Sequence, residues 1–378
     1  MPSNKQPSSS NKNVLVLRFS ALGDVVLTLP AVDYLCASGL SVHVLTKEKF
    51  SSLYLSLKRD NLTVHIIANR ASLFELISKV ASLKKFQFRA IIDFHRNLRS
   101  RVVMLFCRLS AIGESPQYFS ISKPRFREGV LFIFRNRIFG KIFREISPRW
   151  VQSLAIAFEA LSSLGVAQTP NFDSVLAHSE SQVYLRDLPP LPAKLEMGNK
   201  RLVALCVDST WVEKQWAENR FIELAKKLVH DGFLVVWLGL STGKRLASEV
   251  VGSVDLTMQL SVQDSASVLA KAAVLVCNDS GLMHIAEAVG TPVVGIFGPT
   301  SKSLGFAPRL RNSRITDSPL WCRPCSKTGR LCFRLTQKQL CLKMVSVEQV
   351  YNTARSVLSP ELSDVRKSNT EDLEKGHS

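Results

Sequence analysis

AVLVCNDSGLMHIAEAVGTPVVGIFGPT, from Ala273 to Thr300, is the stretch of sequence that decides the fold. It opens with an apolar run that stops at Asn278 to Gly281, continues with a short helical pattern, and closes with a second apolar run over Val293 to Phe297. Gly290 ends the helical pattern, because Pro292 forbids its continuation. The stretch therefore predicts a βαβ unit with parallel strands that are buried on both faces.

The turn between the first strand and the helix of this unit is a candidate anion site. It lies at the carboxyl end of a strand and the amino end of a helix, where free N–H groups and the helix dipole favour a negative ligand. A phosphate or a diphosphate suits this place. The alternative is a purely local role, in which Asp279 or Ser280 caps the helix and Gly281 permits the turn.

The rest of the chain repeats the alternation of strands and helices. Strand patterns recur at Val14 to Phe19, Ser41 to Leu45, Leu62 to Ile67, Ala90 to Phe94, Leu202 to Val207 and Phe233 to Leu238. Helical patterns separate them, which predicts doubly wound parallel sheets. The 378 residues exceed one ordinary core, so two α/β domains that face each other across a cleft are expected.

Domain boundaries follow from composition. The stretch Arg186 to Asn199 carries three of the sixteen prolines and has no apolar periodicity, which is typical of a linker. Both ends of the chain are polar and charged, which predicts disorder. The predicted organisation is a tail over 1–12, an N-terminal domain over 13–185, the linker over 186–199, a C-terminal domain over 200–358 and a second tail over 359–378.

Charge is distributed unevenly. The net charge is +18, and Lys84 to Arg149 holds fifteen basic residues against four acids, which favours an anionic partner such as acidic lipid, a phosphorylated or carboxylated acceptor, or nucleic acid. Within it, Gly129 to Ile146 predicts a basic amphipathic helix that lies at an anionic bilayer surface, or alternatively packs on the sheet with its basic side solvated. The sequence lacks a membrane-spanning run and a secretion signal, so a cytoplasmic location is expected.

Eight cysteines fall into two groups. Four sit singly in apolar patterns and are expected to be core residues. The other four form a C-x2-C-x6-C-x8-C cluster: Cys322, Cys325, Cys332 and Cys341. Disulfides are disfavoured in a cytosolic chain, and the later spacings match no common zinc module, so a structural metal site and free thiols packing a loop stay open as alternatives.

Three loops at the carboxyl ends of predicted strands carry candidate chemistry, because open α/β sheets bind ligands there. The loop Ser20 to Asp24 offers a carboxylate that can act as a base toward a hydroxyl, or only cap its helix. The loop Asp208 to Trp216 offers the hydroxyls of Ser209 and Thr210 and the cation of Lys214, as a diphosphate leaving group needs. The third loop is Asn278 to Gly281.

This combination resembles the lipopolysaccharide heptosyltransferases, glycosyltransferase family 9. The resemblance rests on Arg18-Phe-Ser-Ala-Leu-Gly23-Asp24, on Ser209-Thr210 to Lys214-Gln-Trp216, and on Asn278-Asp279-Ser280-Gly281-Leu-Met-His284 with Gly298-Pro299-Thr300. It covers roughly Val14 to Val350. It implies a GT-B fold of two Rossmann-like domains, the first binding the acceptor and the second the nucleotide-sugar donor.

The resemblance also implies an activity and residue roles. The activity is an inverting transfer of heptose from a nucleotide-heptose, usually ADP-linked, to the lipopolysaccharide inner core, without metal or cofactor. The implied acceptor is lipid A with Kdo, or a heptosylated core, at the inner face of the cytoplasmic membrane; nucleic acid is not an implied partner. In the implied roles, Asp24 is the base that deprotonates the acceptor hydroxyl, and the acceptor is bound by Gly23, Arg96 and Arg99. The diphosphate is held by Ser209, Thr210 and Lys214. The donor sugar and phosphate are held by Asp279, Ser280 and Gly281, and His284 either orients that same loop or packs in the core.

One departure from the family pattern leaves the nucleotide open. Related enzymes often carry an acid after the strand that corresponds to Phe233 to Leu238, suited to ribose hydroxyls, whereas Leu240 to Lys244 has none. Two other functions stay open as well. One is a family member with a different sugar donor or acceptor, and the other is a non-catalytic basic module that binds membrane or nucleic acid.

Overall fold

The computed structural model describes residues 12–109, 115–122, 146–166, 171–240, 245–325, 328–330, 332, 334 and 336–359. Contacts divide these residues into two compact units. The N-terminal unit holds the described residues up to 122 and Arg149–Ser179, and the C-terminal unit holds residues 146–148 and those from Glu180 onward. Each unit has its own parallel sheet, so the predicted fold class, two Rossmann-like α/β domains, is confirmed.

The N-terminal sheet has five strands in the order β3-β2-β1-β4-β5. The strands are β1 (Asn13–Leu17), β2 (Ser41–Lys47), β3 (Leu62–Ile67), β4 (Ala90–Asp93) and β5 (Gln117–Ser120). The helices are α1 (Leu22–Val26), α2 (Leu29–Ala37), α3 (Glu48–Leu55), α4 (Leu73–Ser82), α5 (Leu98–Leu109), α6 (Arg149–Ser163) and α7 (Phe172–Ser181). The strand order reverses between β1 and β4, which makes that gap the switch point of the sheet.

The C-terminal sheet has six strands in the order β11-β10-β9-β6-β7-β8. The strands are β6 (Leu202–Cys206), β7 (Leu234–Leu238), β8 (Ser253–Asp255), β9 (Ala272–Asn278), β10 (Val293–Phe297) and β11 (Arg314–Asp317). The helices with defined bounds are α8 (Glu218–His230), α9 (Val262–Lys271), α10 (Gly281–Ala288), α11 (Leu340–Lys343) and α12 (Val347–Leu358). Here the order reverses between β6 and β9, at the second switch point.

Central strands form because their residues are apolar on both faces. In β6 all five side chains are buried, and in β1 the last four are, as parallel strands between two helical layers require. The stretch Ala273 to Thr300 forms β9, α10 and β10, as its pattern predicts. Gly290 follows α10 with φ 81°, a left-handed conformation that glycine adopts without steric cost.

The proline-rich stretch 186–199 is part of the C-terminal unit and contacts the rest of it in several places. Ser267 Oγ donates a hydrogen bond to Pro189 O at 2.8 Å, and Leu195 is buried. Just before it, the backbone N–H groups of Tyr184 and Leu185 both donate to Ala288 O. This stretch has no regular secondary structure, but contacts with the rest of the C-terminal unit hold it in place.

The basic amphipathic helix predicted over Gly129 to Ile146 lies outside the described residues, apart from Ile146 itself, which is buried. Most of both predicted tails lies outside them as well. None of the helices in the described part of the chain has the length and apolar character needed to cross a bilayer.

Candidate functional site

The predicted site residues lie at the two switch points. In the N-terminal unit, Asp24 is in α1, directly after the loop that follows β1. In the C-terminal unit, the loop after β6 carries Ser209 and Lys214, and the loop after β9 carries Asp279. Since neighbouring parallel strands end at the same edge, these two C-terminal loops lie side by side.

The centre of the C-terminal site is a buried ion pair. Lys214 Nζ lies 2.6 Å from Asp279 Oδ2, and their side chains are only 13% and 10% exposed. Thr300 Oγ1 donates a second hydrogen bond to the same oxygen at 2.8 Å. The three residues come from the loops after β6, β9 and β10. A cation and a hydroxyl are thus fixed beside the start of α10, where the helix dipole also favours an anion.

Two further contacts hold the first two of these loops together. Ser209 Oγ donates to the backbone oxygen of Asp279 at 2.9 Å. The fully buried amide of Asn278 accepts from Trp216 N at 3.0 Å and donates to Val207 O at 2.6 Å. The Asn278 side chain therefore joins the neighbouring ends of β6 and β9. Thr210, in the loop after β6, is exposed.

The beginning of α10 contains the other predicted donor residues. Ser280 precedes the helix, and Gly281 is its first residue. Burial raises the pKa of the Cys206 thiol to about 12 and that of the Cys277 thiol well above its usual value, and the nearby Ser280 side chain lowers both. The Ser280 hydroxyl is itself buried, and His284 is buried within α10.

The cysteine-rich segment covers this site. Arg323, which is 2% exposed, donates hydrogen bonds to the backbone oxygens of Phe297, Gly298 and Thr300. Gly329 has φ 68°, and a Cβ atom there would lie 2.8 Å from Lys214 Cε. The Arg330 guanidinium stacks 4.9 Å from the centre of the Trp211 ring. The segment thus fixes the turn after β10 and packs on the lysine.

All four clustered cysteines, Cys322, Cys325, Cys332 and Cys341, lie within the described residues and are present as thiols rather than disulfides. Cys325 Sγ donates to Cys322 O at 3.4 Å. Burial raises the pKa of the Cys341 thiol. Among the described residues, no group of three or more His, Cys, Asp or Glu side chains has an arrangement that could hold a metal ion.

The N-terminal site is organised around Asp24. Arg18, at the end of β1, places its NH2 atom 2.6 Å from Asp24 Oδ2, and the side chains are 10% and 36% exposed. The same Oδ2 accepts a hydrogen bond from Ala21 N at 3.4 Å. The carboxylate therefore caps α1, which is the local role considered for it above. Both the ion pair and the cap use Oδ2, so neither contact uses Oδ1. Gly23 precedes it in the same helix.

The loop after β4 is built by Asp93. This buried carboxylate accepts from His95 N and Arg96 N, each at 2.8 Å, and from Ser100 Oγ at 2.6 Å. Arg96 has φ 48°, and its guanidinium donates to Ile121 O at 3.0 Å. Arg99 is half-buried in α5 and lies close enough to Lys47 to lower the pKa of that ammonium, after burial, which is the larger cause.

Sequence reasoning missed several residues that shape these sites: Arg18, Asn278, Thr300 and Arg323. Three of them stand within the quoted motifs, where a cation, an amide or a hydroxyl directly after an apolar strand is the available signal. Arg323 gives no such signal, because most of its acceptors are backbone oxygens that only the folded chain brings together.

Sequence comparison places the chain among known proteins. The pattern of glycosyltransferase family 9 (heptosyltransferase) matches residues 81–332. The chain belongs to glycosyltransferase family 9. The predicted resemblance is thereby confirmed, and the Lys214–Asp279 pair lies within the matched region.

Individual relatives of this family 9 chain agree. It is 26% identical to lipopolysaccharide heptosyltransferase 1 of Pseudomonas aeruginosa over 373 residues, which cover 91% of this chain and 98% of that protein. It is 30% identical to lipopolysaccharide heptosyltransferase 2 of Salmonella typhimurium over 106 residues, which cover 26% of this chain and only 30% of that protein. The solved structure of ADP-heptose lipopolysaccharide heptosyltransferase II of Escherichia coli superposes with a TM-score of 0.61 at 16% identity, over 92% of this chain and 98% of that one. At that identity the superposition speaks for the fold alone.

Proposed function

We propose that this protein transfers heptose from a nucleotide-heptose, ADP-linked, to the inner core of lipopolysaccharide, with inversion at the anomeric carbon. The observation that carries the proposal is the cluster of Lys214, Asp279 and Thr300 beside the start of α10. The family 9 match and the Pseudomonas aeruginosa relative support the sugar and the acceptor.

The C-terminal unit provides the donor half of the reaction. Negative charge builds on the diphosphate as its bond to the sugar breaks, and a preorganised cation and N–H groups stabilise that charge best where water is excluded. Lys214 supplies the cation, α10 supplies N–H groups and a dipole, and Ser209 and Thr210 supply hydroxyls. Asp279, Ser280 and Gly281 flank the sugar and the phosphate, with Asp279 accepting from sugar hydroxyls.

The N-terminal unit provides the acceptor half. Asp24 takes the proton of the acceptor hydroxyl as the oxygen attacks the anomeric carbon from the side opposite the diphosphate. The new carbon–oxygen bond forms while the bond to the diphosphate breaks, so the configuration inverts and the diphosphate leaves with the electron pair. Arg18 holds the carboxylate through Oδ2, which leaves Oδ1 for the proton.

Clustered cations in the same unit suit an anionic acceptor. Burial, and then the positive charges of Arg99 and Lys49, lower the pKa of Lys47, so Lys47 lies in the positive field of the other two. A carboxylate of Kdo or a phosphate on lipid A would offset that field. Gly23 and Arg96, at the same switch point, complete the proposed acceptor surface.

The decisive experiment offers the purified protein ADP-heptose and truncated lipopolysaccharide, with mass spectrometry of the acceptor. The expected result is an acceptor heavier by one heptose, which depends on both substrates. A panel of other nucleotide sugars serves as the comparison. Transfer of a different sugar would replace the donor in this proposal, and no transfer from any donor would contradict the enzymatic function.

A peripheral position at the cytoplasmic face of the membrane belongs to the same proposal. The exposed side of α5 combines three leucines with two arginines: Leu98, Leu105, Leu109, Arg101 and Arg108. Apolar and cationic side chains on one helix face suit an anionic bilayer surface. The protein should sediment with anionic vesicles at low salt and not with neutral ones. If a Leu105→Gln, Leu109→Gln double variant sediments as well as the wild type, α5 does not contact the membrane. The predicted helix over Gly129 to Ile146 would then be the remaining candidate for that contact.

A further inference from the structure

The end of β7 lacks a residue that its position in the sheet leads one to expect. β7 is the second strand of the C-terminal sheet and lies beside β6. In nucleotide-binding sheets of this order, a carboxylate at the end of the second strand accepts hydrogen bonds from the ribose hydroxyls. The residues after β7, Gly239 to Lys244, include no acid. The strand that ordinarily supplies the ribose acid therefore does not supply it here.

Asp208, at the end of the neighbouring strand, brings a carboxylate to the same place. Leu240 N, just after β7, donates a hydrogen bond to Asp208 Oδ2. Gly239 has φ 113°, and a Cβ atom there would lie 2.5 Å from the same oxygen. Only glycine leaves the room that this carboxylate occupies. The side chain of Asp208 is half-buried, so a ligand can still reach it.

The residue that follows Asp208 points to the other side. Ser209 Oγ donates to Asp279 O, in the loop after β9. Asp208 therefore serves the β7 side of β6, and Ser209 serves the β9 side. Because β6 lies between β9 and β7, a nucleotide that has its phosphates at the start of α10 and lies across the end of β6 would bring its ribose to Asp208.

We propose that Asp208 is the ribose-binding carboxylate of the C-terminal unit. It accepts hydrogen bonds from the 2′- and 3′-hydroxyls of a ribonucleoside diphosphate, in place of an acid after β7. The inference rests on the proposed function in one respect only, that the donor is a nucleotide sugar. It depends neither on heptose as the sugar nor on the acceptor.

The test is a calorimetric titration of the full-length protein and of Asp208→Asn with ADP and with 2′-deoxy-ADP. Hydrogen bonds to a charged acceptor discriminate strongly against an analogue that lacks the donor. The wild type should therefore bind ADP about tenfold more tightly than 2′-deoxy-ADP. In Asp208→Asn this preference should largely disappear, through loss of ADP affinity rather than gain for the deoxy compound. UDP and 2′-deoxy-UDP form a second pair, because ribose recognition does not depend on the base.

A matched control is Asp255→Asn. Asp255 is the last residue of β8, and its carboxylate accepts a hydrogen bond from the nearby Thr257 hydroxyl. This variant should keep the wild-type preference, and both variants should melt as single folded species. The inference is overturned if the wild type binds neither the adenine nor the uracil nucleotides, or binds the ribonucleotides no more tightly than the 2′-deoxy compounds. It is also overturned if the Asp208→Asn variant keeps the preference for the ribonucleotides. Transfer of heptose is assayed separately. Its absence, with the ribose preference intact and dependent on Asp208, would contradict the proposed reaction but not this inference.

Discussion

The two units each place an aspartate against a cation at a switch point, and the surroundings of the two pairs differ. Asp24 and Arg18 come from one short segment, lie 2.6 Å apart, and leave the carboxylate side chain 36% exposed. Asp279 and Lys214 come from the ends of two strands, at the same distance, with the carboxylate 10% exposed. The first pair holds an accessible acid, whereas the second pair also joins separate strand ends.

This difference has an energetic consequence. An ion pair that water reaches contributes about 0–1 kcal/mol, because solvent screens it. Removing one partner of a buried pair costs about 3–5 kcal/mol, because the other charge is left uncompensated. Changes at Asp24 should therefore affect chemistry with little effect on stability, and changes at Lys214 should affect both.

The largest expected effect is on turnover at the N-terminal site. Asp24→Asn keeps the shape of the side chain and an oxygen for the helix cap but removes the base. The rate of transfer should fall by about 10²–10⁴-fold, while the affinity for the nucleotide product stays unchanged. Initial rates and product titration measure the two quantities.

Asp33→Asn is the matched control in the same unit. Asp33 forms a two-point ion pair with Arg59, and neither residue belongs to the motif Arg18 to Asp24. It should retain the wild-type rate constant in protein that remains folded. Undiminished turnover in Asp24→Asn would exclude Asp24 as the base.

The next effect concerns the buried pair. Lys214→Ala should lower kcat/KM by about 10²-fold, because it removes the cation from the leaving group. It should also lower the free energy of unfolding by about 3 kcal/mol, since Asp279 is left in a buried position without its cationic partner. Urea unfolding and steady-state kinetics measure both losses in one variant.

Lys227→Ala is the control for this variant, because Lys227 pairs with Glu348 at 2.8 Å on the exposed surface of the same unit. It should change neither quantity appreciably. If Lys214→Ala lost stability but kept its affinity for ADP, the pair would be structural and the phosphate role would be wrong.

The smallest expected effect is a difference in pH dependence between the two units. Burial, and then the positive charges of His43, Lys79 and Lys85, lower the pKa of His65 to about 4. The unfolded histidine has a pKa of about 6.5, so the unfolded chain binds a proton between these values that the folded N-terminal unit excludes. This unit should lose stability as the pH falls from 6.5 toward 4.

Glu287 gives the C-terminal unit the opposite sign. Burial raises the pKa of its carboxyl, although the charge of Arg309 and hydrogen bonds oppose the shift. A raised pKa in the folded state means that Glu287 contributes to the stability of this unit below the unfolded pKa of about 4.3. That contribution is lost as the pH rises through the pKa of the folded state. Hydrogen exchange at pH 7 and pH 5, corrected for intrinsic rates, should show protection falling in the N-terminal sheet and not in the C-terminal sheet. His65→Gln should flatten the first trend, and a wild type with equal trends would contradict this assignment.

Much of the fold can be read from the sequence because central strands are continuous apolar runs. The strands that escaped prediction are three of the four edge strands, β5, β8 and β11. In β5 only Phe119 is buried, and in β8 every residue is half-buried. Since they face the core with few side chains, they carry no pattern that distinguishes them from loops.

The candidate sites divide in the same way. The motif after each strand indicated Asp24, Lys214 and Asp279, because chemistry at a switch point requires particular residue types in loops of fixed position. Their partners did not follow from sequence. The Ser280 side chain, for example, lies near two buried thiols, and the surroundings of a side chain depend on packing rather than on its neighbours in the chain.

The sequence by itself therefore determined two parallel sheets, the helix that begins at Gly281 and the family, because apolar periodicity and short motifs are local properties of the chain. Only the tertiary structure decided that Lys214 neutralises Asp279, that Arg323 holds the turn after β10, and that Asp208 stands where β7 lacks an acid. Those contacts join residues far apart in sequence. They exist because strand order brings particular strand ends to one edge of the sheet, and no local pattern encodes which ends will meet.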